Sequence, residues 1–178
     1  MPENIKDVFE ILAKYNTIAN KDIVKILEGV ESSKLTEDLG SYFGSILGLL
    51  DHLLASDISW LKNLGENISD LDFLLPLMED FKIDRLPPKE LHWKTLSEFN
   101  TVRVEVDKII ERMVNTLPAD QYSTEVTTET KRGKYSYIIW RTLILMFNHH
   151  THHRGGVSLL MDQLNVENNF SSLLWSVK

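Results

Sequence analysis

The sequence predicts an all-α fold, a four-helix bundle with a long crossover between its second and third helices. Apolar residues recur at steps of three and four along most of the 178-residue chain, the period of a helix with one buried face. Strand-like composition is confined to one short stretch, residues 122–137. Between the second and third periodic runs lies a segment far longer than the roughly 2 to 8 residues that join antiparallel neighbours in a bundle, so those two helices are expected to run parallel. A chain of this length fits a single domain spanning 1–178.

Ile5, Val8, Phe9, Leu12, Tyr15 and Ile18 define the buried face of a first helix, and Ile23 and Ile26 continue it, giving a span from Asn4 to Glu28. Gly29 and the serine pair that follows mark a connection. The second helix is expected from Leu39 to Leu64, with Gly65 as its stop. Residues 65–88 are irregular, interrupted by Pro76 and by Pro87-Pro88, with room for one short helix between Leu71 and Met78; this is the crossover. Pro88 can open the third helix, where a missing N–H costs nothing, and the pattern runs on to Thr116 before Pro118 ends it. Residues 122–137, rich in Thr, Val and Tyr around Gly133, read as an irregular loop or a small hairpin. The fourth helix is expected from Ser136 through Leu164. Beyond it Phe170, Leu173, Leu174 and Trp175 make the tail too apolar for a free solvated end, so it is expected to dock on the body.

Composition narrows the chemistry. Nineteen Lys and Arg against 26 Asp and Glu leave a net charge of -7, the wrong sign for gathering phosphates, so nucleic acid is not expected as a partner. No apolar run approaches the roughly 20 residues that span a bilayer. The N-terminal stretch is acidic and amphipathic, unlike a secretory signal, and the expected location is the cytoplasm. Cysteine is absent, which excludes thiolate nucleophiles and sulfur-ligated metals in this chain and leaves soft-ligand chemistry to histidine.

Four of the six histidines fall in one run, NHHTHHRGG, residues 148–156. A helix advances about 100° per residue, so Ile138, Thr142, Leu145, His153, Gly156 and Leu160 all lie within about 40° of His149. His149 and His153 are therefore expected on the core stripe, whereas His152 sits about 60° aside and His150 and Arg154 point about 100° and 140° away, toward rim or solvent. An HxxxH pair can aim two imidazole nitrogens at one ion, but a metal site needs a third group from another helix. The remaining histidines are His52 and His92. Ser41, Ser45, Gly48, Ser56, Ser59 and Asn63 lie within about 40° of His52, and Leu47, Leu50, Leu54, Ile58 and Leu61 occupy the other side. Small neighbours leave room for an ion and a substrate; they equally permit close helix packing or a solvated face, and periodicity does not choose. HExxH, paired ExxH and GxxxxGK[ST] are all missing, so metalloprotease, di-iron and P-loop readings recede.

NHHTHHRGG on the last helix, with LLDHLLASDISWL on the second, resembles the DinB/YfiT-like family, whose last helix typically reads NHxxHHRGQ and whose second carries a histidine followed by an Asp and a Trp. The resemblance implies an up-down-down-up four-helix bundle in which one histidine of the second helix and the HxxxH pair of the fourth bind a divalent metal; matched by motif position, these are His52, His149 and His153. Zinc or nickel is the first expectation for that ion, with iron or manganese as alternatives. Related proteins include transferases and isomerases that use low-molecular-weight thiols, so the expected function is a metal-dependent thiol S-transferase or hydrolase acting on a small molecule. Any sulfur would have to arrive with the cosubstrate. The alternative is a bundle that binds metal or ligand without catalysis, as an interaction module. A homodimer, with the first helix and tail as its face, accords with the resemblance. Asp57 and Trp60 match the family pattern and are expected in structural roles, Asp57 as a hydrogen-bond partner and Trp60 as core filler. One departure is Gly156, where a glutamine is usual; being on the inward stripe, it bears on the substrate more than on the metal.

Overall fold

Asn4 begins the first helix with a reciprocal cap. Its side chain accepts from the N–H groups of Lys6 and Asp7, and the Asp7 carboxylate returns the bond to the Asn4 N–H. Helix α1 then runs Ile5–Leu27, within one residue of expectation at each end. The computed structural model describes residues 4–81, 83, 84, 86–130, 133–170 and 177. Among these the chain is mostly helical, with four long helices, two short ones and one two-stranded sheet.

A one-and-a-half-turn helix, α2 (Ser32–Thr36), occupies the polar connection. The second long helix, α3 (Ile46–Asn67), starts later than the periodicity suggested. Gly40 and Gly44 sit at φ of 78° and 79°, a left-handed conformation that stops helix propagation, and Ser45 caps the true start by accepting from the Gly48 N–H. Gly65 does not end α3. It lies inside the helix, where an added β-carbon would stand 3.0 Å from Leu74 Cβ, and so lets the crossover pack close. That crossover holds α4 (Leu74–Glu79).

The third long helix, α5 (Leu96–Thr116), does not open at Pro88. Pro87 and Pro88 belong to a turn closed by the Glu90 N–H on the Pro87 carbonyl, and the helix begins after Thr95, which forms a capping box with Glu98. His92 therefore stands in the crossover, not on a helix. The Thr- and Tyr-rich stretch resolves into a hairpin of β1 (Glu125–Thr130) and β2 (Gly133–Ile138), paired antiparallel with Thr130 opposite Gly133. The all-α expectation is corrected to that extent: β1 is rich in β-branched Val126, Thr127 and Thr128, and Gly133 opens β2 at a φ of 120°. The last helix, α6 (Ile139–Gln163), follows β2 without a linker.

Named pairs show how the long helices meet. Phe9 of α1 lies 6.2 Å from the Phe147 ring of α6, and two turns further Asn16 accepts from Arg154. Lys6 donates to the carbonyls of Asn115 and Leu117 at the end of α5, while Asn20 reaches back to Asp107. Across the centre, Asp57 of α3 bonds both Arg103 of α5 and His150 of α6. After α6 the chain turns back, Asn168 bonds Ser158 and Asp162, and Phe170 packs against the core. Leu173, Leu174 and Trp175, which carried the docking expectation for the tail, lie outside the described residues. No helix among the described residues is long and apolar enough to cross a membrane.

Candidate metal centre

The buried stripe of α6 is not the one centred on His149. It comprises Ile139, Leu143, Met146, Phe147, His150, Arg154, Val157, Leu160 and Met161. His150 and Arg154, expected at the rim, are buried, and Leu145, expected inside, is 59% exposed. The polarity of His150 and Arg154 masked the register: Ile139, Leu143, Met146, Val157 and Met161 carry the helical period straight through both. His149 and His153 consequently lie half-buried at the edge of the core, where α6 faces α3.

There they meet His52. One ring nitrogen from each of His52, His149 and His153 lies within 4.8 Å of the other two. The Nε2 atoms of His149 and His153 are 3.0 Å apart, as adjacent turns of one helix face allow. Phe43 stacks on His52 at 4.0 Å between ring centroids, and Trp60 lies 5.5 Å from His149. That stacking depends on Gly48, because a β-carbon there would stand 2.2 Å from the Phe43 carbonyl oxygen. Three of the small residues around His52, Gly48, Ser56 and Ser59, line a cleft of about 780 Å³ with Tyr42, Phe43, Trp60 and the Leu86–Pro88 edge of the crossover, so for these three cavity is the reading that holds. Trp60 packs against the core, as expected, and is also a wall of this cleft.

Burial first, and then the neighbouring imidazoles, push His149 and His153 down to about 4, and burial also lowers His52. All three rings are thus neutral near pH 7, the form that offers lone pairs to a cation. The depressed values have a thermodynamic consequence. Between about pH 6.5 and 4 the unfolded chain holds protons on these two histidines that the native state refuses, so stability rises with pH across that window. The metal-free protein is expected to have its full melting temperature above about pH 6.5 and to lose part of it as pH falls from there to about 4, whereas a His149→Leu/His153→Leu variant should show a flatter profile across that window. Thermal melts with chelator present test this, and parallel profiles would refute it.

His92 does not join the triad. Asp51 accepts from the backbone N–H groups of His92 and Trp93 and bonds His92 Nδ1 at 2.8 Å, while His92 Nε2 meets the Asp84 carbonyl at 2.9 Å. Burial opposes the charge on this ring, but its two acceptors outweigh it and raise the pKa. His92 is a clamp that ties the crossover to α3 beside the cleft.

Sequence reasoning gave Asp57 a hydrogen-bonding role but missed the extent of its network. The Asp57 carboxylate accepts from Arg103 at 2.5 Å and bonds His150 Nε2 at 2.7 Å; Arg103 also pairs with Asp107 at 2.8 Å, which accepts from Asn16 and Asn20, and Arg154 donates to Asn16. Burial would raise the Asp57 carboxyl, but His150 and Arg103 overcome it and hold the carboxyl below its ordinary value. Polar residues within the apolar periods of α1, α5 and α6 were the available signal.

The donor set fits a divalent ion. Metal–imidazole bonds of about 2.1 Å place ligand nitrogens roughly 3.0 to 3.4 Å apart, a spacing the His149–His153 pair already has, with a His52 nitrogen within 4.8 Å of both. His149 Nδ1 is buried without a hydrogen-bond partner among the described residues, so the ring is held by its packing against Trp60 and His52 and not by a bond to its second nitrogen. No curated protein and no solved structure matches the chain. The profile of the DinB family matches residues 1–175. With that match over almost the whole sequence, and three histidines converging between α3 and α6, the chain belongs to the DinB family.

Proposed function

We propose that this protein is a divalent-metal-dependent enzyme acting on a small molecule, with the ion held by His52, His149 and His153, and that it transfers a low-molecular-weight thiol to an electrophile or hydrolyses its substrate. The observation that carries the reading is that His52 belongs both to the histidine triad and to the wall of the 780 Å³ cleft, so a bound ion and a bound substrate would be neighbours. The helix pairs support an up-down-down-up bundle: contacts advance together along α1 and α6, contacts run oppositely between α1 and α5, and from Asp51 to Asp57 the partners of α3 advance from His92, just before α5, to Arg103 within it. This is the framework in which facing helices supply core ligands.

A divalent ion with three protein ligands would supply Lewis-acid activation of a water or a thiol. The chain's own part is distinct. Three neutral imidazoles suit zinc or nickel, with iron or manganese as alternatives, and add no charge of their own. Phe43 and Trp60 put apolar faces against the ligand rings and exclude water, and His92 with Asp51 holds the crossover edge of the cleft in place. With no cysteine in the sequence, a transferred sulfur comes from the cosubstrate.

A second reading, a bundle that binds metal and ligand without turnover, is favoured by one observation. Ser56 and Ser59 donate to backbone carbonyls and both His92 nitrogens are engaged, so these cleft residues offer no unengaged imidazole or hydroxyl proton as a catalytic group. The test is turnover. Consumption of a low-molecular-weight thiol with an electrophile, or cleavage of an ester, is expected from metal-loaded protein and should vanish on chelation and return on adding the ion. Tight metal retention without turnover across thiol and ester panels would leave the binding reading.

A further inference from the structure

The histidine motif ends in two adjacent glycines whose surroundings differ. A β-carbon added at Gly155 would meet nothing within 4 Å, whereas one at Gly156 would stand 2.9 Å from Leu49 Cδ2. Nonbonded carbons settle about 3.5 to 4.0 Å apart, so a side chain at 156 and the present Leu49 cannot share that space without movement. Leu49 is 6% exposed and belongs to the core, so its side chain has little room to swing away.

The two residues also bracket the candidate ligands. Leu49 precedes His52 by three residues on α3, and Gly156 follows His153 by three on α6, each about one turn away. We propose that Leu49 and Gly156 form a matched pair, a bulky side chain against none, that sets the separation of α3 and α6 and thereby the distance from His52 to the His149–His153 pair. Both are positioning residues, since neither offers an atom to an ion. The proposal rests on the three-histidine reading above. It also assigns the glycines of the motif separate roles: Gly156 is required by the opposing leucine, and Gly155 is not required by any packing contact.

The test is a double-mutant cycle read by metal affinity, with zinc and spectroscopically visible cobalt(II) as probes. Gly156→Ala is expected to weaken cobalt binding by about tenfold or more and to alter its ligand-field spectrum at saturation, the scale seen when a supporting contact to a metal ligand is lost. Leu49→Ala/Gly156→Ala should regain affinity to within about threefold of the unaltered protein, because contacting residues couple. Gly155→Ala should bind as the unaltered protein does. Should Gly156→Ala not fold, the comparison moves to Leu49→Ala against the double variant: equal affinities support the pair, and a tenfold difference overturns it. Unaltered protein that binds no cobalt defeats the three-histidine reading and this proposal together. Normal binding by Gly156→Ala defeats the spacer alone.

Discussion

Alanine at His149 is expected to leave the protein almost free of tightly bound divalent metal, where the unaltered chain, purified without a histidine tag, retains about one equivalent. His149 and His153 offer nitrogens 3.0 Å apart from one helix, and His52 offers a third from another. Removing any one leaves two imidazoles, too few to hold the ion against water. Loss of a group that merely supports a ligand costs roughly 10- to 100-fold in affinity, so loss of a ligand itself should cost more than 100-fold. His153→Ala and His52→Ala should behave alike. His152→Ala supplies the contrast, because its ring lies 4.8 Å from that of His153 but on an exposed part of the helix outside the converging group. Elemental analysis of dialysed protein and titration with zinc or nickel measure the effect. Metal content in the three ligand variants unchanged from that of the unaltered protein, or an equal loss in His152→Ala, would remove the site.

The helical wheel brought out the HxxxH pair because two residues four apart must share a face whatever the helix packs against. It could not orient that face. Placing His149 on the core stripe displaced the register by about one residue, or 100°, since it credited His150 and Arg154 with the solvent their polarity suggested. Both are buried because other helices supply their partners, and such partners lie 93 and 138 residues away in sequence. The same limit applied to His52: period alone allowed three fates for its small neighbours, and only the approach of the crossover and Phe43 made them a cleft. Local signals that were legible but misread are of another kind. The Thr95–Glu98 capping box and the glycines at 40 and 44 fix the starts of α5 and α3, overriding both Pro88 and the apolar repeat that reaches back to Leu39.

Asp57→Ala is expected to destabilise the protein by about 3 to 5 kcal/mol, the scale of breaking one side of a buried ion pair. Asp57 is wholly buried and serves two donors from two different helices, so its removal strands Arg103 Nη1 and His150 Nε2 together. Arg103 is 2% exposed and does not shed its proton, so the charge has no escape through titration. Asp107 can partly compensate at 2.8 Å, but it already accepts from Asn16 and Asn20. Asp57→Asn keeps an acceptor in place and removes the charge, and should fall between alanine and the unaltered protein. Adding Arg103→Met to Asp57→Ala should cost less than the sum of the two single changes, because the second replacement removes the group that the first left unpaired. Chelator-treated protein unfolded in urea gives these differences free of any metal contribution. A loss under about 1 kcal/mol for Asp57→Ala would place it with ordinary substitutions and show that water or a rearranged neighbour satisfies Arg103. Additive single and double effects would show that α3, α5 and α6 are not joined through this carboxylate. If the network holds as drawn, the same carboxylate that ties α3 to α5 also fixes His150, the residue next to His149, so the rigidity of the core and the placement of the candidate ligand share one origin.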